Sequence, residues 1–310
     1  MKIKTIHLLI FFFSITNSFS QDPIFSQTIG GNFNLNSALA GNDSIGRLSL
    51  NHRDQVGGIG SYYLTSSVNF QQYIPKTNGF IGINYLKDNA MKIISTTTYS
   101  IFYSQNIQVK KLLIRPSIEI GFGNKMLDVT KLTFGDMIDP QKGFIHETGS
   151  IINNSNINYL DINTGAILYF QNLLVGASIH HVNSPNTSFY SAVSKLPIRS
   201  DFQLSYCFKI NELRLSPFYY YSQQQGFKAS VIGVNLKTKK HFNFSISNRI
   251  NTALIYNIGY STRKFSFNYS YDQTMRKIGY INNAHELAIS FKFWKVKPRK
   301  KFAYIESVYN

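Results

Sequence analysis

Along much of the chain apolar and polar residues alternate one for one. Phe265, Phe267, Tyr269 and Tyr271 are interleaved with Ser266, Asn268, Ser270 and Asp272; Leu287, Ile289, Phe291 and Phe293 with Ala288, Ser290 and Lys292. The same period runs through Phe202–Phe208, Phe242–Ser247 and Ile114–Phe122. Successive side chains of a strand point to opposite faces, so each segment has one apolar and one polar face. The pattern predicts fourteen strands, near 47–53, 62–71, 79–87, 96–106, 112–122, 159–170, 173–182, 198–208, 213–222, 227–237, 242–250, 253–261, 264–271 and 285–293. Most are near ten residues long, and their polar face is mostly Ser, Asn, Gln, Thr and Gly. A soluble sandwich has shorter strands with a more charged outer face. A transmembrane β-barrel has strands of about 9–11 residues, apolar outside and aromatic at both interfaces. The expected fold is therefore all-β: an antiparallel outer-membrane barrel of about fourteen strands. An even count places both termini on one side, the periplasm. Aromatic girdles are expected at Tyr62-Tyr63, Tyr219-Tyr220-Tyr221 and Phe293-Trp294. Gln171-Asn172 and Ile210-Asn211-Glu212 are tight turns. The long connections, 124–158 and 183–197, are expected on the extracellular side.

Composition sharpens this picture. Aromatic residues make up 15% of the 310 residues and charged residues only 15%, which excludes intrinsic disorder. The single Cys excludes an intramolecular disulfide framework. Mean hydropathy is −0.14, low for so many rings, as half-polar strands require. At the start, Lys2 and Lys4 precede an apolar run over 6–15 and small residues at Ser18 and Ser20. This three-part layout is expected to be a signal peptide over 1–20. Its apolar run, about ten residues, falls short of the roughly 20 a membrane helix needs. Removing those twenty residues with their two lysines leaves 290 residues and a net charge of +15. The expected organisation is then a periplasmic or lumen-plugging segment over 21–46, a barrel over 47–293 and a basic periplasmic tail over 294–310.

Several segments together resemble the PorP/SprF family of the type IX secretion system. They are Gln21-Asp22-Pro23-Ile24-Phe25-Ser26-Gln27, Asn36-Ser37-Ala38-Leu39-Ala40-Gly41, Arg53-Asp54-Gln55 with Gly57-Gly58, Asp136-Met137-Ile138-Asp139-Pro140, and His285-Glu286 opening the last strand. Ser37 replaces the family's usual Pro, and Val56 stands where an aromatic is expected. The resemblance implies an outer-membrane barrel of Bacteroidota-type bacteria, linked to protein secretion and gliding motility. It implies export or anchoring of secreted surface proteins, and partners among periplasmic ring or peptidoglycan-binding components.

No catalytic constellation emerges, and no cofactor is expected. No Ser sits in a Gly-x-Ser-x-Gly elbow, and Gly57-Gly58-Ile59-Gly60 opens no helix. His180-His181 on adjacent strand positions would face opposite sides, so two rim histidines are expected rather than a metal pair. Asp136, Asp139, His146 and Glu147 lack calcium-loop spacing and read as a solvated acidic loop. Cys207 reads as strand filler. The positive charge suits lipopolysaccharide phosphates or a pore lining, and export argues against nucleic acid. Its clearest cluster, Lys295, Lys297, Arg299, Lys300 and Lys301, is a candidate periplasmic docking peptide for an acidic partner. A porin or small-solute transporter is the rival function.

Overall fold

The computed structural model describes residues 21–27, 33–40, 45–57, 62–139, 141–144, 155–275 and 281–295. The expected signal peptide, Gly41, Pro140, His146, Glu147 and the tail beyond Lys295 lie outside them.

Fourteen antiparallel strands form the wall. They are β1 (Ile45–Gly57), β2 (Tyr62–Ile74), β3 (Gly79–Ala90), β4 (Ile94–Gln105), β5 (Leu112–Leu127), β6 (Asn156–Phe170) and β7 (Leu173–His180). Then follow β8 (Arg199–Tyr206), β9 (Leu213–Gln224), β10 (Phe227–Thr238), β11 (Phe242–Arg249), β12 (Ala253–Ser261), β13 (Phe265–Thr274) and β14 (Ile281–Lys295). Each strand pairs with its neighbours in sequence, and β1 pairs with β14 from Ile45↔Lys295 to Gly57↔Ile281. That last pairing closes the barrel, so each of the fourteen wall strands has a partner on both sides. All fourteen expected strands are present, with ends shifted by a few residues.

Ile45 and Lys295 lie together at one end, the terminal end. Its turns are short. Lys110, Gln171 and Asn211, each first in a two-residue turn, have φ of 52°, 54° and 54°, the left-handed conformation that lets a hairpin reverse without splaying its strands. Asn106 interrupts the pairing beyond β4, and Cys207 that beyond β8; both are buried, and the strands resume as Ile107–Val109 and Phe208–Ile210. The two longest connections lie at the opposite, loop end. One holds a small hairpin pairing Ile138–Asp139 with Gly143–Phe144.

The outer face is apolar. Ile83, Ile101 and Ile120 pair in register across β3, β4 and β5 and are 55%, 59% and 51% exposed. An aromatic belt runs near the terminal end: Phe70–Phe293, Tyr206–Phe208, Phe242–Tyr260 and Phe265–Phe291 have ring centroids 6.1, 4.7, 5.1 and 5.6 Å apart. One expected girdle element is corrected. Tyr220 points inward and is buried, because parity along β9 sends only Tyr219 and Tyr221 outward.

The lumen is occupied. Residues 33–40 and 21–27 pack against inward-facing side chains and form the protein's interior together with them. The chain passes from Asp22, beside the loop-end residues His181, Arg199 and Gln224, to Ala40, beside Arg115 near the start of β5. Asp22 therefore lies at the far end of the lumen from Ile45. Of the two placements expected for 21–46, the described residues 21–27 and 33–40 lie in the lumen, where three sets of inward-facing residues hold them.

Candidate functional site: a plug held by two charge clusters

The first set is apolar. Phe33 stacks on Phe102 at 5.7 Å in a buried cluster with Ala40, Tyr73 and Phe80. Ala38 and Leu39 pack on Leu113, Ile167, Tyr169 and Leu174. Leu35 packs on Phe218, Tyr220 and Val231, with Ile24 beside them. These wall residues face inward, where a barrel of this type is otherwise polar. They are apolar where the plug covers them.

A short 3₁₀ turn, Ser37–Leu39, shapes the segment. The Asn36 carboxamide oxygen accepts from the Ala38 amide at 2.9 Å, and its amino group donates to the carbonyls of Ala177 at 3.1 Å and Ala166 at 3.4 Å. One side chain thus caps the turn and ties it to the wall. Gly165 makes this possible, since a Cβ there would fall on the Asn36 carboxamide. Ser37 Oγ lies 2.9 Å from Ser117 Oγ. The buried Arg115 donates to the carbonyls of Ala38 and Ala40 and, at 2.6 Å, to Asn106 Oδ1, with its guanidinium 5.0 Å from the centre of the Phe80 ring.

Two clusters of buried charge hold 21–27. In one, Ser26 is surrounded by Arg53, Arg249, Asp272 and Glu286 from four strands. Its amide donates to Glu286 at 2.6 Å, its hydroxyl to Asp272 at 2.6 Å, and Arg53 and Arg249 donate to Ser26 Oγ. Arg53 also reaches Asp272 at 2.8 Å and Glu286 at 3.4 Å, and Arg249 reaches Asp272 at 3.3 Å. Two cations and two carboxylates balance, as buried charge requires.

In the other cluster Asp22 accepts from His181 Nε2 at 2.7 Å and Arg199 Nη1 at 2.9 Å. His181 Nδ1 meets Asp161 at 2.8 Å, and Arg199 Nε meets Asp201 at 3.1 Å. His180 Nε2 sits 3.1 Å from both Asp201 and the Leu35 carbonyl, and Tyr220 donates to Asp201 at 2.9 Å. Burial alone would lower the His181 pKa. The carboxylates of Asp22 and Asp161 outweigh it and raise the pKa from 6.5 to about 9. Burial likewise works to raise the pKa of Asp22, but His181 and Arg199 hold it well below the usual carboxylate range.

His180 and His181 lie at the loop-end rim, but the expectation that they face opposite sides is corrected. His181 follows the last residue of β7 with φ of 58°. The strand's alternation ends there, and both rings turn inward with centroids 6.3 Å apart. Among the described residues no group of three or more His, Cys, Asp or Glu is arranged to hold a metal ion.

Of the residues singled out by resemblance, Phe25, Ala40, Arg53 and Glu286 are buried in or beside the plug, and Asp22 and Pro23 are half-buried. Gln55 lies two residues beyond Arg53. His285 faces outward, its Nδ1 2.7 Å from the Tyr269 hydroxyl. Asp136 lies in a 3₁₀ turn of the long connection, and Asp139 accepts from the amides of Gln141 and Lys142, each at 2.8 Å. These two take no part in the plug. Sequence reasoning missed Arg115, Asp161, Arg199, Asp201, Arg249 and Asp272. Beside the plug lies a small polar pocket of about 20 Å³, lined by Ser26, Gln27, Asn235, Asn243, Ser247 and Asn257 among others.

The family model described as "Type IX secretion system membrane protein PorP/SprF" matches residues 17–291. The chain belongs to this family. PorP/SprF membership and the closed barrel together make it an outer-membrane β-barrel of the type IX secretion class. Among curated protein sequences none matches the chain. Among solved structures it is similar to the Ralstonia pickettii toluene transporter TbuX, at 13% identity and TM-score 0.50, covering 83% of this chain and 90% of that one. It is also similar to the CymD monoaromatic hydrocarbon channel, at 10% identity and TM-score 0.50, covering 88% and 94%. At such identities the likeness concerns the fold.

Proposed function

We propose that this PorP/SprF barrel supports export or surface anchoring of secreted proteins through protein contacts, and that it does not act as a solute pore. The observation that carries the reading is the occupied lumen, where 21–27 and 33–40 are held by buried ion pairs and apolar contacts. A channel serving small solutes needs that space. The terminal end faces the periplasm, where the basic tail from Lys295 onward docks an acidic component of the secretion or gliding machinery, such as a ring or peptidoglycan-binding protein. The loop end, with the long connections, faces outward and meets the secreted protein. The chemistry is non-enzymatic. The likeness to TbuX and CymD reaches the fold and not what those proteins carry.

Copurification from native outer membranes tests this reading. Secretion or motility components retained with the full chain, and lost on deletion of 298–310, support it. Absence of such partners, with solute flux through the purified barrel, overturns it.

A further inference from the structure

The charge of this protein is unevenly placed. Six short turns close the terminal end between β2 and β13, and three carry adjacent exposed cations: Lys110 and Lys111, Lys239 and Lys240, Arg263 and Lys264. Lys76 adds one in the β2–β3 turn and Lys209 one beside the β8–β9 turn, so only Gln171-Asn172 lacks any. One acid, Glu212, stands against all of them, and it is bound to Lys239. At the loop end, described residues of the connections are near balance, with Lys92, Lys131, Lys142 and Lys195 against Asp128, Asp136 and Asp139.

These terminal-end cations follow the circumference, and they sit just beyond the aromatic belt of Phe70, Tyr206, Phe242, Tyr260, Phe265 and Phe291. Aromatic belts mark headgroup level, so the turns project to the depth of lipid phosphates. Long basic side chains reach such phosphates with their charge while their stems stay against apolar surface. A docked protein would be read by one sector. A ring around the perimeter is read by the leaflet that surrounds it.

We propose that this ring binds anionic glycerophospholipid headgroups and fixes the terminal end of the barrel in its leaflet. The proposal rests on the outer-membrane reading, and the test separates the two. The full chain is reconstituted into phosphatidylcholine vesicles containing a minority of phosphatidylglycerol, then extracted with its retained lipid, which is counted by native mass spectrometry. Phosphatidylglycerol is expected to be enriched over the bilayer composition by about fivefold or more, the factor a single lysine contributes beside an anionic surface. The enrichment should vanish at about 1 M salt, where screening acts within about 3 Å. It should also vanish in the variant K110Q/K111Q/K239Q/K240Q/R263Q/K264Q and persist in K92Q/K131Q/K142Q/K195Q. Equal loss in both variants, salt-insensitive retention, or no enrichment in the wild type overturns the proposal. Heat-modifiable migration reports folding of each variant. Its absence in the wild type would sink the barrel reading instead, and if only the sextuple variant misfolds the wild-type salt series decides.

Discussion

Arg53 is the residue whose removal should unseat the plug most selectively. It is 6% exposed and joins three partners: Asp272 at 2.8 Å, Glu286 at 3.4 Å and Ser26 Oγ. Arg53→Met removes one of the two cations, leaving Asp272 and Glu286 to face Arg249 alone. Breaking a buried pair by deleting one partner costs about 3–5 kcal/mol. The expected loss in unfolding free energy is about 3 kcal/mol, the low end, because the small polar pocket beside Ser26 has room for a water to solvate the remaining carboxylate. Adding Asp272→Asn restores the balance with one cation and one carboxylate, so the double variant should recover about 2 kcal/mol of that loss. Urea titrations of folded barrel in lipid, followed by heat-modifiable migration, measure both. Limited proteolysis should cut within 21–40 in Arg53→Met and not in the wild type. A loss under about 0.5 kcal/mol, the scale of an exposed ion pair, or strict additivity in the double variant, would refute the buried network.

Two further outcomes follow from the same geometry. Ile101, 59% exposed, lies on the lipid face in an apolar row with Ile83 and Ile120, so Ile101→Arg should cost about 2–4 kcal/mol in refolding assays. Phe267, only two residues from the belt residue Phe265, should cost about 0–1 kcal/mol when replaced by Arg, and equal costs would misplace the belt. Because the His181 pKa is raised from 6.5 to about 9, its contribution to plug docking is complete below about 6.5 and is lost as pH rises through about 9. The groups that face it are Asp22 and Asp161, with Arg199, Asp201 and His180 behind them. Protease access to 21–40 should increase across that window, and His181→Gln should show no such rise.

The wall was legible because each strand meets two different solvents, and alternation records that directly. The plug was legible only as one of two placements for 21–46, because 21–40 carries no period of its own. Its imprint was nevertheless present in the wall. Ile167-Leu168-Tyr169-Phe170 and Tyr219-Tyr220-Tyr221 break the alternation, since one face meets lipid and the other meets the plug. Read that way, the runs mark where the lumen is filled. Resemblance singled out Asp22, Arg53 and Glu286, and the fold supplies the connection: the plug sets its start beside residues from strands at both ends of the chain. Arg199, Arg249 and Asp272 stayed hidden because a charge on a strand's polar face looks the same whether it meets water or a partner. His181 was misread for a local reason. One left-handed backbone angle ended the alternation from which its direction had been inferred.

The central claim, that the N-terminal segment closes the barrel, is tested most directly by single-channel conductance in planar bilayers. The folded full chain is compared with a variant lacking residues 21–40. The full chain should insert without conductance steps, and the shortened barrel should give stable, ohmic openings. Open channels from the full chain, unchanged by the deletion, would contradict the account.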